Sequence, residues 1–71
     1  MTDIELLMMK IKESGLPMTV ISEKSGIDRA TLYNRFKGIG EFTASEIVGL
    51  SKALHLNKPD RDRIFLSENV N

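Results

Sequence analysis

Apolar residues recur along this chain in short stripes of helical period separated by glycines, and no stretch sustains the period of two that marks a strand. Ile4, Leu7, Met8 and Ile11 stand at i, i+3, i+4 and i+7, which predicts a first helix over 3–14. Thr2 and Glu5 have capping-box spacing at its start, a hydroxyl for an early backbone N–H and a carboxylate that reaches back to the cap. Gly15 supplies the left-handed residue that commonly ends a helix. Leu16 and Pro17 open the next unit, because proline presets φ for a helix start and is refused inside one. A second, short helix is predicted over 18–25, with Ile21 inward and Gly26 as its stop. Ile27 anchors the turn, and Asp28 is a good N-cap for a third helix over 29–37. On that helix Leu32 and Phe36 form an i, i+4 apolar pair, and Gly38 is its C-cap.

The loop 38–42 carries Gly38 and Gly40 with Ile39 and Phe42, a pattern expected of a turn pinned to the core. Thr43 and Glu46 repeat the capping-box spacing, and Ile47, Leu50 and Leu54 continue in helical register to about His55. Lys58, Pro59 and Asp60 open a last helix with Ile64 and Phe65 or Leu66 turned inward. Five short helices without a sheet make the fold class all-α, a compact five-helix domain over 1–71.

Length and composition narrow the chemistry. With 71 residues the chain suffices for one core, and without cysteine it has neither a disulfide nor a thiolate metal site to staple it. Apolar residues at 41% and charged residues at 28% are ordinary for a soluble globular domain rather than a disordered tail. The longest apolar run, Leu6 to Met9, is far short of the ~20 residues needed to cross a bilayer. The N-terminus opens with acids where a secretory signal would be basic, so a cytoplasmic location and no membrane association are expected.

The stretch 20–38 carries the functional signal. A helix-turn-helix needs a small residue where its two helices cross, a glycine in the turn, an apolar residue after it and apolar inward positions on the second helix. Ser22, Gly26, Ile27, Leu32 and Phe36 fill those roles, which places the motif at about 18–37. The run Gly-Ile-Asp-Arg-Ala-Thr-Leu-Tyr at 26–33 and the later Glu-Phe-Thr-Ala-Ser-Glu-Ile at 41–47 resemble the small Cro-like or repressor-like helix-turn-helix proteins of temperate phages of Gram-positive bacteria. The resemblance spans nearly the whole chain. It implies a lambda-repressor-like five-helix fold, a role in the lysis–lysogeny decision in a host bacterial cell, and operator DNA or another switch protein as partner. Two positions depart from the pattern. Arg35 stands where many phage repressors have the inward residue of the second helix, leaving the core role to Phe36, and Ser25 is polar where an apolar residue usually precedes the turn glycine.

With the third helix in a major groove, its outward residues are Arg29, Ala30, Tyr33, Asn34 and Lys37. Arg29 and Asn34 are the strongest base readers, since arginine bonds guanine O6 and N7 and asparagine adenine N6 and N7 in bidentate fashion; Ala30 and Tyr33 are further base-contact candidates. Thr19, Thr31 and Lys37 suit phosphate contacts. Each has a plainer reading as a solvated helix face, Tyr33 as a ring packed on the second helix, and Asp28 is a cap before it is a base contact.

Charge keeps a second reading open. Ten Lys and Arg balance ten Asp and Glu, unlike a strong non-specific DNA binder. Within 28–40, Arg29, Arg35 and Lys37 against Asp28 leave a net +2, whereas 1–15 and the last thirteen residues each come to −1. The first hypothesis is a Cro-like repressor, acting as a homodimer on a two-fold operator. The alternative is an antirepressor that binds the phage repressor protein through apolar residues expected outside the core, Met9, Met18, Val20 and Ile39. An enzyme is not expected, nor a cofactor, metal or small-molecule substrate: His55 is the only histidine, read as a partly buried helix-end residue, and no glycine-rich phosphate loop or nucleophile with a base is present. Asp60 to Arg63 is read as a solvated helix start, and Met8, Met9 and Met18 as core or interface fillers.

Overall fold

The structure, a computed structural model, describes residues 1–67. Among them are five helices and no strand: α1 (Ile4–Ser14), α2 (Met18–Ser25), α3 (Arg29–Phe36), α4 (Ala44–Ala53) and α5 (Lys58–Phe65). None is long and apolar enough to cross a membrane. One core draws a residue or two from every helix: Leu7 and Ile11, Ile21, Leu32, Leu50, Ile64 and Phe65, with Ile27 plugging the turn after α2. Burial of such side chains supplies about 1.5–3 kcal/mol each, and no polar or charged residue among the described ones is fully buried beside them. α2 packs chiefly along α4 and also on α3, and α5 packs against α1 and α4.

Caps define most boundaries, and two differ from the sequence reading. α1 starts from Asp3, which accepts the Leu6 N–H at 3.1 Å, so the Thr2–Glu5 spacing is not used as a box. The reason is tertiary. The Asp3 N–H is donated to the Ile64 carbonyl at 2.6 Å, so it needs no glutamate, and the cap is set where the chain ties to α5. α4 stops at Ala53 rather than His55. His55 adopts a left-handed conformation (φ 53°) while the Leu56 N–H bonds back to Ser51 at 2.9 Å, a Schellman closure with histidine in the usual glycine position. Being past the inward stripe, His55 is exposed, not partly buried. The Thr43–Glu46 capping box forms as the spacing indicates.

Packing also reassigns several side chains. Met8 lies at the edge of its stripe and is largely exposed, while Leu6 packs against the core in its place. Met18, read both as a core or interface filler and as a residue outside the core, is half-buried against the core, because the short α2 brings its first turn over that core. Of the alternatives at the last helix, Ile64 and Phe65 turn inward and Leu66 does not. The loop 38–42 is pinned by Phe42, whose ring meets Phe65 edge-on at 5.4 Å, but Ile39 stays outside. The Asp60–Arg63 run is more than a solvated start: Asp60 pairs with Lys10 at 3.1 Å, which links α5 to α1, while Lys58 and Asp62 pair at 2.9 Å along the exposed side of α5 itself.

Candidate nucleic-acid interface

Two short helices joined by a tight turn carry the candidate residues. Gly26 ends α2 with φ +77°, a conformation that costs any side chain about 1–2 kcal/mol, and Ile27 then drops into the core. The Ser22 hydroxyl donates to the Ile27 carbonyl across this turn. Asp28 caps α3 by accepting the Thr31 N–H at 2.7 Å. Interaction with Thr31, first its side chain and then its backbone N–H, holds the Asp28 carboxyl below the usual carboxylate range.

α3 buries Leu32 fully and Phe36 in part, which leaves Arg29, Ala30, Tyr33, Asn34 and Lys37 together on its solvent side, all open to solvent to some degree. Tyr33 stands half-open on this side. It meets the Phe36 ring of its own helix edge-on at 6.2 Å and keeps 46% of its surface open. Arg29 occupies the first position of the helix, where the macrodipole disfavours a cation. Thr19 is exposed in the first turn of α2, whose N-cap Pro17 has no side chain to accept the early N–H groups; such an end attracts anions. Thr31 is half-buried beside Asp28. Among the protein-interface candidates, Met9 (54% exposed) and Ile39 (58%) are open, Val20 is half-buried, and Met18 is withdrawn as described.

The glycine stop expected at Gly38 closes α3, whereas the pairing of Arg35 beside it was not legible in the sequence. After Phe36 and the cap Lys37, the Gly38 N–H bonds to Arg35 at 3.0 Å and the Ile39 N–H to Asn34 at 2.8 Å, a Schellman motif with Gly38 at φ +85°. Arg35 itself faces away from the exposed stripe. Its Nε donates to Glu46 Oε1 at 3.2 Å and its Nη2 to Oε2 at 3.4 Å, a fork on a fork, while Nη1 donates to the Ile39 carbonyl at 3.2 Å. No local signal marks a partner eleven residues away. Among the described residues no group of histidine, cysteine and carboxylates is gathered as a metal site. The chain matches no family of proteins, no curated protein and no solved structure.

Proposed function

We propose that the chain is a sequence-specific DNA-binding regulator, a Cro-like helix-turn-helix protein of a phage lysis–lysogeny switch that reads operator DNA through α3. One observation carries the reading. A short helix, held at its base by a buried Leu32 and a tight glycine turn, offers Arg29, Ala30, Tyr33, Asn34 and Lys37 on one uninterrupted solvent-facing side. That set combines two bidentate base readers with a phosphate-binding cation. The uncapped N-terminus of α2, with Thr19 beside it, adds an anion-attracting group on the helix that precedes α3. A homodimer on a two-fold site suits a module with so little surface. The test is selection from a randomised duplex library at low salt, followed by anisotropy titration of the winners. Enrichment of one sequence, with its preference weakened in Arg29→Ala and Asn34→Ala, supports the reading; an unenriched library refutes it.

A second reading, capture of the phage repressor by an antirepressor, is favoured by the exposure of Met9 and Ile39 on a molecule of zero net charge. Co-purification with the repressor at micromolar concentration tests it, and no association at that concentration refutes it.

A further inference from the structure

Arg35 is the one cation of α3 that the outward face does not present, and its surroundings are built. Its side chain retains 19% of its surface and that of Glu46 16%, so the pair is mostly shielded. Three guanidinium N–H groups are committed, two to the Glu46 carboxylate and one to the Ile39 carbonyl. Glu46 Oε1 accepts at the same time from the Thr43 N–H at 3.0 Å, so the carboxylate is fixed by the cap of α4 before Arg35 reaches it. Gly40 completes the cradle. It sits at φ +77°, and a Cβ there would overlap Nη1 and come within 3.2 Å of Cζ, so the guanidinium rests directly on the loop backbone. Three segments, the last turn of α3, the loop 38–42 and the first turn of α4, thus meet on one planar group. A bidentate fork fixes direction as well as distance, which a single ammonium does not.

We infer that Arg35 is a positioning residue: with Glu46 it sets the attitude of α3 against α4, and so the register in which the exposed face of α3 meets base edges, without touching DNA itself. This rests on the DNA-reading proposal for its functional consequence and on the free protein alone for its structural one. A positioned reader loses selectivity when its support loosens, whereas removing a phosphate-binding group changes affinity for all sequences alike.

The test uses Arg35→Lys, which keeps the charge and loses the fork, and Glu46→Gln, which keeps the capping-box acceptor and loses the ion pair. Both are titrated, below their unfolding temperatures, against the selected duplex and a scrambled duplex over a salt series. Each variant is expected to lower the ratio of selected to scrambled affinity about tenfold, the size of coupling seen between contacting residues, with the salt dependence unchanged in Arg35→Lys. Glu46→Gln is the sharper arm, because removing a negative charge favours DNA in general and yet selectivity falls. Tighter, more selective binding by Glu46→Gln would make Arg35 a freed DNA contact and overturn the inference, as would unchanged selectivity in both variants. Residual dipolar couplings of the free proteins give the angle between α3 and α4 with no DNA present. A changed angle in both variants is expected, and an unchanged one overturns the positioning role. Absence of any selected duplex for the wild type would sink the DNA-reading proposal while this angle still decides the positioning role.

Discussion

Substituting Gly49 by alanine sets helix propensity against packing, and the structure says which prevails. Gly49 lies inside α4 where α2 crosses it. A Cβ built there would overlap the carbonyl oxygen of Ser25 and stand 3.1 Å from its carbonyl carbon and 3.3 Å from its Cα. Every one of these neighbours is backbone at the end of α2, so no side chain can swing aside. Carbon atoms settle at about 3.5–4.0 Å and the oxygen is closer still, so α2 and α4 must part by about 1 Å. That separation opens the layer formed by Ile21 and Leu50, both fully buried. Overpacking of this kind costs up to about 3 kcal/mol, and alanine returns about 1 kcal/mol of helix propensity, leaving a loss of about 2 kcal/mol. For a chain of this length that is a large part of a stability of about 4–10 kcal/mol.

Urea unfolding followed by circular dichroism reads the difference directly. With a slope of about 1 kcal/mol per molar, the midpoint of Gly49→Ala falls by about 2 M, and the melting temperature by about 8–16 °C. A variant as stable as the wild type would show that the helices separate freely and that the close approach at Ser25 contributes nothing.

Three further outcomes are expected. Asp28 and Asp62 are held below the ordinary carboxylate range, Asp28 by Thr31 and Asp62 first by its hydrogen bond from Lys58. Their stabilisation is therefore present above the unfolded value of about 3.9 and is lost as pH falls through the lower folded values; Asp28→Asn, which keeps a capping oxygen but does not titrate, should flatten the acid limb of the stability curve, and an unaltered limb would contradict the capping account. His55→Gly should raise stability by about 1 kcal/mol by relieving the left-handed conformation, read as a higher urea midpoint, with no gain counting against strain there. Lys37→Ala should weaken DNA binding alike for all sequences and reduce the salt slope by about one, whereas Arg29→Ala should cost about 1–3 kcal/mol at one base position; the reverse pattern would reassign the two residues.

What the sequence reveals about this fold is its local chemistry, and what it conceals is whatever needs a distant partner. Glycines at 15 and 26 and the Thr43–Glu46 box announce helix ends because caps act within four residues. The buried residues Leu7, Ile11, Ile21, Leu32 and Leu50 follow from period alone. Asp3 takes the place of Thr2 as a cap through a bond to Ile64, at the other end of the chain. Met18 could not be told from a surface residue without knowing where α2 lies. Gly49 carried no reading in the sequence, because its close approach to the Ser25 backbone depends on where α2 crosses α4. The candidate DNA face reads well from sequence because it is one helix, whereas Arg35 required Glu46.

The pairing of Arg35 changes the electrostatic argument about function. Counting charges along 28–40 credits three cations to the recognition segment, but one of them is bound to Glu46 and faces the loop. Arg29 and Lys37 remain against Asp28, on a molecule of zero net charge. Each phosphate neutralised contributes to the salt dependence of binding, and a single copy with so few cations has little sequence-independent hold on DNA. If the chain reads DNA as proposed, affinity has to come from base contacts on α3 and from linkage of two modules, whose joint binding gains from effective concentration. The same arithmetic connects the two functional readings. On the proposed readings a weak single reader needs a partner to act, either a second copy of the chain or the phage repressor, and the exposed Met9 and Ile39 are the apolar residues open to it. On this argument DNA binding by the chain alone should be steeply concentration-dependent, and the alternative partner should compete with self-association rather than with DNA.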